Sequence, residues 1–165
     1  MTTPSQIARL WIARVGMSDV PDSPDGPVIY TGIFFDAMAA NRLLKAFGKM
    51  HPEKQAHHMT LWHFSEGGAP PELPWGKTVS LKVVAHVEDD RVQAVVVEPP
   101  AGLRPVGRIP HITISTLAGV GPKVSNDLLT HWDATAKVTG LPAVKGRVGW
   151  ADSRGVPHFD PPPAD

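Results

Sequence analysis

Eighteen prolines in 165 residues set the first limit on what this chain can become. Proline fixes φ and lacks an amide hydrogen, so it ends helices and is excluded from central strands. The prolines crowd at residues 21–27, 70–74, 99–110 and 157–163. Between those stretches only short elements fit. Ile7 to Val15 alternates loosely and reads as a strand, with a short helix as the competing reading. Val28 to Phe35 (VIYTGIFF) is β-branched and aromatic and reads as a buried strand. Asp36 is placed to cap a helix over Ala37 to Phe47, with Leu43, Leu44 and Phe47 on one stripe and Gly48 as its stop. Ala56 to Phe64, Thr78 to Val87, Arg91 to Glu98, His111 to Thr116 and Val144 to Trp150 read as further strands, the pair around Glu88-Asp89-Asp90 as a hairpin. Ser125 or Asn126 can cap a short helix through Leu128, Leu129 and Trp132. No βαβ alternation runs through the chain, so the expected class is α+β with antiparallel strands. Residues 1–156 are expected to form one domain and 157–165 a loose tail.

Composition narrows the function. Basic and acidic residues number 16 each, for a formal charge of +0. A protein that tracks many phosphates of a duplex carries a basic surplus, so any nucleic-acid ligand is expected to be short or met at one local site. The absence of cysteine excludes disulfides, thiolate catalysis and cysteine zinc sites, and fits a cytoplasmic protein. Apolar runs fall short of the ~20 residues that span a bilayer, so no membrane partner is expected. The start, MTTPSQIARLWIARV, lacks the pattern of a signal peptide.

Two segments carry chemistry. His58-Met59-Thr60-Leu61 and His111-Ile112-Thr113-Ile114 share the order histidine, apolar, threonine, apolar. On a strand, alternate side chains face opposite sides. Each segment therefore sets an imidazole beside a hydroxyl on one face and two apolar side chains on the other. Phosphodiester cleavage needs one proton removed from the attacking oxygen and one given to the leaving oxygen. Imidazole titrates near neutrality and serves either role. Threonine hydroxyls can donate to the phosphate oxygens. One such segment is more often a satisfied core histidine; two on alternating apolar strands point to a site.

These residues resemble the 2H phosphoesterase superfamily, which includes the LigT-like RNA phosphodiesterases. The closer likeness is to the cyclic-phosphodiesterase domain of fungal and plant tRNA ligases and related RNA-repair-like proteins. It is carried by YTGIFFD at Tyr30 to Asp36 with Arg42, Leu43 and Leu44, by AHHMTL at Ala56 to Leu61, and by IPHITIST at Ile109 to Thr116 running into Ala118 to Leu129. Trp62-His63-Phe64 departs from the small and polar residues expected after the first motif. The resemblance implies a bilobal fold, with two antiparallel sheets and outer helices around a central cleft. It implies His58 and His111 as the catalytic pair, Thr60 and Thr113 as phosphate-binding companions, and no metal or other cofactor. The implied reaction opens a 2′,3′-cyclic phosphate on an RNA end or nucleotide. Two alternatives stand beside it: hydrolysis of cyclic or 2′,5′-linked oligonucleotides, and a non-catalytic module that binds RNA ends or a partner. A monomer is expected.

Further residues carry double readings. Trp62 shares the His58 face and can stack a base or form cleft wall. Ser115 continues the His111–Thr113 face and can touch phosphate. Lys123 and Ser125 can approach a phosphate, or Ser125 can simply cap a helix. Tyr30 can reach the cleft or pack. Arg104 and Arg108 can steer an anion or stay solvated. His57 and His63 are expected off the His58 face. The crowding of His57, His58, His63 and Glu53 lacks H-E-x-x-H spacing, and no P-loop or dinucleotide-binding glycine motif is present.

Overall fold

The computed structural model describes residues 28–121, 124–133 and 140–163. The expected strand at Ile7 to Val15, the loop at 21–27 and Lys123 lie outside them. Strand β1, Tyr30–Phe34, is buried throughout. Helix α1, Ala37–Phe47, starts where Asp36 Oδ1 accepts the Ala39 N–H at 2.8 Å. It stops where Gly48, at φ 72°, donates its N–H to Leu44 O at 2.8 Å. Both ends match the sequence reading. Short β2, Glu53–Lys54, precedes β3, His58–His63, and a single 3₁₀ turn at Phe64–Glu66. The hairpin of β4, Thr78–Glu88, and β5, Val92–Glu98, turns on Asp89, whose Oδ1 accepts from the N–H groups of Arg91 and Val92. Strand β6, His111–Thr116, is followed by helix α2, Val124–Leu129, then β7, Ala143–Ala151, and β8, Pro157–His158. Helix α2 begins at Val124, so neither Ser125 nor Asn126 is its cap.

All pairings are antiparallel, and with the two helices the described residues have the α+β make-up expected. The sequence reading expects two sheets; the ladders instead run unbroken through one eight-stranded sheet, ordered β2-β6-β5-β4-β7-β1-β3 with β8 on β7. The reason is β4. Its residues Thr78 to Lys82 pair with β7, and Lys82 to Glu88 pair with β5 across a bulge, so one long strand belongs to both halves. At the other extreme, the two edge strands β2 and β3 are successive pieces of the run 53–63. One lies on β6 and the other on β1. Both edges of the sheet thus meet at one stretch of chain.

The main core gathers Met59 and Leu61 of β3 with Ile112 and Ile114 of β6, against Ile33, Leu81, Val95 and Leu43 of α1. Burying each such side chain contributes roughly 1.5–3 kcal/mol. The reading of 157–165 as a loose tail is corrected for residues 157–160. Strand β8 pairs with β7, Trp150 stacks on His158 at 4.3 Å, and Trp150 Nε1 donates to Asp160 O at 2.9 Å. Gly149 permits the approach, since a Cβ there would stand 2.5 Å from His158 O. No helix among the described residues is long and apolar enough to cross a membrane.

Candidate active site

Both motif strands show the alternation their sequence demands. His58, Thr60 and Trp62 are half-buried while Met59 and Leu61 are buried. His111 and Thr113 are half-buried while Ile112 and Ile114 are buried. The segment just before His58 is hydrogen-bonded directly to the second motif. Gln55 N–H donates to Ile114 O at 2.8 Å, and Ala56 N–H donates to Thr113 O at 2.7 Å. Strands β3 and β6 also lie against each other, and a charge on His111 opposes protonation of His58.

Ala56 is the one non-glycine described residue with positive φ, at 56°. That backbone region costs an L-residue about 1–2 kcal/mol and persists where surrounding contacts enforce it. Here it turns the chain from its pairing with β6 toward its pairing with β1. This turn also corrects the expectation that His57 faces away from His58. Strand alternation begins only at His58, and the bend before it brings the rings together, with centroids 4.6 Å apart and the two Nδ1 atoms 2.7 Å apart. On the other strand, Gly32 of β1 crosses so close that a Cβ would lie 2.4 Å from Met59 O.

The electrostatics favour neutral rings. Burial pushes His58 well below the usual imidazole range, and His57, His111 and His63 act in the same direction. Burial pushes His57 down to about 4. His111 is also lowered by burial, with Arg108 adding to the effect and the Ile109 carbonyl opposing it. A phosphate anion among these rings would reverse the balance, because a nearby negative charge favours the imidazolium form. His58 Nε2 lies 3.1 Å from Thr60 Oγ1. His111 Nδ1 lies 2.8 Å from Ile109 O, a pure acceptor, so that nitrogen carries hydrogen and Nε2 of neutral His111 carries a lone pair.

The auxiliary residues divide. Trp62 stays on the His58 face, half-buried. Tyr30 packs: it is buried, its ring lies 4.8 Å from that of His58, and burial pushes its phenol above the ordinary range. Ser115 does not face a phosphate, a correction with a clear cause. It is fully buried, its hydroxyl donates to Gln93 Oε1 at 2.6 Å, and it accepts the His51 N–H at 3.2 Å. Ser125 is fully buried too, 2.8 Å from Thr113 Oγ1, where it supports the threonine instead of meeting solvent. Arg104 is exposed, whereas Arg108 is ion-paired with Glu66, tying the chain before the second motif to the chain after the first. His63 is buried, and its Nδ1 lies 2.6 Å from Ser65 Oγ. Among the described residues no group of three or more His, Asp or Glu side chains is placed to hold a metal ion.

Three contributors escaped the sequence reading. Gln93 is a buried hub whose amide donates to Gly48 O at 2.9 Å and whose carbonyl accepts from Ser115 and from the Met50 N–H. A lone glutamine in an apolar strand gives no local signal of that role. The left-handed Ala56 and the turned His57 are equally silent, although the doubled histidine of AHHMT marks the place.

A family model described as the fungal tRNA ligase phosphodiesterase domain matches residues 42–145, a span that contains both motifs. The chain is also similar to a solved structure described as a crystal structure of fungal RNA kinase. The TM-score is 0.54 at 14% identity, covering 77% of this chain and 46% of the other. This chain therefore spans less than half the length of that structure, and the likeness concerns the fold. A comparison with curated proteins finds no match.

Proposed function

This chain belongs to the fungal tRNA ligase phosphodiesterase domain family, and from that membership we propose that it hydrolyses a phosphodiester without a metal, at a 2′,3′-cyclic phosphate on an RNA end or nucleotide. The observation that carries the reading is the junction of the two motifs: Ala56 N–H on Thr113 O, which brings β3 against β6.

In this mechanism, His111 Nε2 takes a proton from water. The water oxygen attacks phosphorus, and the bond from phosphorus to one ribose oxygen breaks. His58, held as imidazolium by the bound phosphate anion, gives that oxygen its proton from Nε2 and returns to the neutral ring, leaving a monophosphate on the other ribose oxygen. The assignment follows from partners. His111 bonds a carbonyl through Nδ1 and so faces the site with a lone pair, which leaves His58 as the donor. Thr60 and Thr113 donate to the non-bridging oxygens, and Ser125 aims the Thr113 hydroxyl. Trp62 stacks the terminal base. The two halves of the sheet serve as lobes, each contributing one motif strand to the cleft. The balanced formal charge suits a short RNA end more than a long duplex.

The test is hydrolysis of an RNA oligonucleotide ending in a 2′,3′-cyclic phosphate, in EDTA. Wild type turns over; His58→Ala and His111→Ala each lose at least ~10²-fold in kcat while remaining folded. Near-wild-type turnover by either variant ends the proposal. Cleavage only of cyclic dinucleotides or 2′,5′-linked oligonucleotides moves the substrate class.

A further inference from the structure

We propose that Arg147, seated on the ring of Phe159, binds a backbone phosphate of the RNA strand that leads into the reacting end. The inference rests on the reading of this chain as a cyclic phosphodiesterase and deepens it, because it makes the substrate an RNA end in preference to a free nucleotide.

Register places Arg147 beside the candidate site. Phe34 of β1 is paired with His58 of β3 on one side and with Arg147 of β7 on the other. Directly paired residues of an antiparallel sheet project from the same face. His58, Phe34 and Arg147 therefore form one row, and two strand spacings put about 10 Å between the backbones at its ends. Phe159 lies on that face as well. Its ring meets the ring of Phe34 edge-on at 6.1 Å, and Cζ of Arg147 lies over it, 4.1 Å from its centroid. The ring of Phe34 is in turn 6.0 Å from that of His58. Two glycines make room for Phe159. A Cβ at Gly149 would stand 2.9 Å from its ring, and a Cβ at Gly76 would stand 3.0 Å from its carbonyl oxygen.

The charge of Arg147 is held in place but not neutralised. Arg91, Arg108 and Arg154 pair with Asp89, Glu66 and Asp152. Arg147 is exposed and makes no ion pair among the described residues; its Nε–H donates to Gly76 O at a long 3.4 Å. Its partner on β4 is Thr78, and the next exposed pair on this face is Lys145 with Ser80. These rows carry cations and hydroxyls and no carboxylate. The ring of Phe159 covers one flat side of the guanidinium and leaves the Nη donors at its edge. Such a fork grips a phosphate through two parallel hydrogen bonds. A 2′,3′-cyclic mononucleotide has its only phosphate at the histidines. An RNA strand carries further phosphates away from that point, and Arg147 is the exposed cation in the row that starts at His58.

The experiment compares a strand with a mononucleotide. Substrates are an RNA tetranucleotide ending in a 2′,3′-cyclic phosphate and 2′,3′-cyclic AMP. Arg147→Gln is expected to lower kcat/KM on the tetranucleotide roughly tenfold, and at least about threefold more than on cyclic AMP. Arg147→Lys, which keeps the charge without the fork, is expected to fall between wild type and Arg147→Gln. Arg42→Gln removes the same charge from α1, which packs through Leu43 on the opposite face of the sheet, and is expected to stay within about twofold of wild type. Fluorescence anisotropy with a labelled tetranucleotide ending in a 3′-phosphate reads binding without turnover, and Arg147→Gln is expected to weaken it by a similar factor. Equal losses on the strand and on cyclic AMP overturn the proposal. So does unchanged binding and turnover in Arg147→Gln, or an equal loss in Arg42→Gln, which would reduce the effect to bulk charge. If the wild-type protein hydrolyses no cyclic phosphate, the proposed function fails on its own, while anisotropy still decides the role of Arg147.

Discussion

Ala56 donates its backbone N–H to the carbonyl of Thr113 at 2.7 Å while holding a φ of 56°. One residue thus joins the two motif segments, turns the chain into β3 and swings the His57 ring toward His58. A β-branched side chain tolerates this backbone region poorly, and the site is buried. Ala56→Val is expected to destabilise the fold by about 2 kcal/mol or more and to cut turnover in what remains folded. Ala56→Gly relieves the backbone but loses a buried methyl, and is expected to stay within about 1 kcal/mol of wild type. Urea denaturation of the two variants checks the pair. Equal stability for valine and wild type would contradict the role given to this turn.

Gln93 and Ser115 offer a separation of structure from chemistry. Replacing Gln93 by Leu leaves the fully buried Ser115 hydroxyl short of a partner, together with Gly48 O and the Met50 N–H at the more exposed margin. The expected cost is about 2–4 kcal/mol, with little change in kcat at a temperature where the protein stays folded. Ser115→Ala should follow the same pattern with a smaller loss. A large fall in kcat for Ser115→Ala without a change in stability would show that the hydroxyl meets the phosphate after all.

Stability should fall in acid, and the direction follows from His57. Its folded pKa is pushed down to about 4, whereas the unfolded imidazole titrates near 6.5. Between those values the unfolded chain binds a proton that the folded chain refuses. The stability contribution is therefore complete above about pH 6.5 and is lost as the pH falls toward 4, by an amount on the order of 3 kcal/mol. His58 and His111 are lowered as well and act in the same direction. Denaturation midpoints measured from pH 7.5 to 4.5 should show this slope, and His57→Asn should flatten it. A slope unchanged by that substitution would contradict the buried, neutral state of the ring.

Much of this geometry is legible in the chain before any coordinates. Asp36 and Gly48 mark the ends of α1 because capping is decided within three or four residues, and the alternation of HITIST fixes β6 to the residue. The doubled motif is as local, and it marks the candidate site. What escapes depends on partners distant in sequence. Strand β2 is two residues long and exists only because β6 lies beside it. Strand β8 sits in a proline-rich end that reads as loose, yet Trp150 and the gap at Gly149 hold it down. Ser115 follows the face of its strand in sequence and is captured by Gln93 across a bulge in space. His57 obeys no alternation because the strand has not yet begun.

The central claim is that His58 and His111 stand on either side of one phosphate. Titrating both imidazoles by NMR, with and without saturating adenosine 2′-monophosphate or 3′-monophosphate, tests it most directly. Both rings start below the ordinary imidazole range. A bound phosphate between them should raise both pKa values together, by about one unit or more, since each gains the same anionic neighbour. A rise in only one ring, or in neither while the nucleotide is demonstrably bound, would contradict the account.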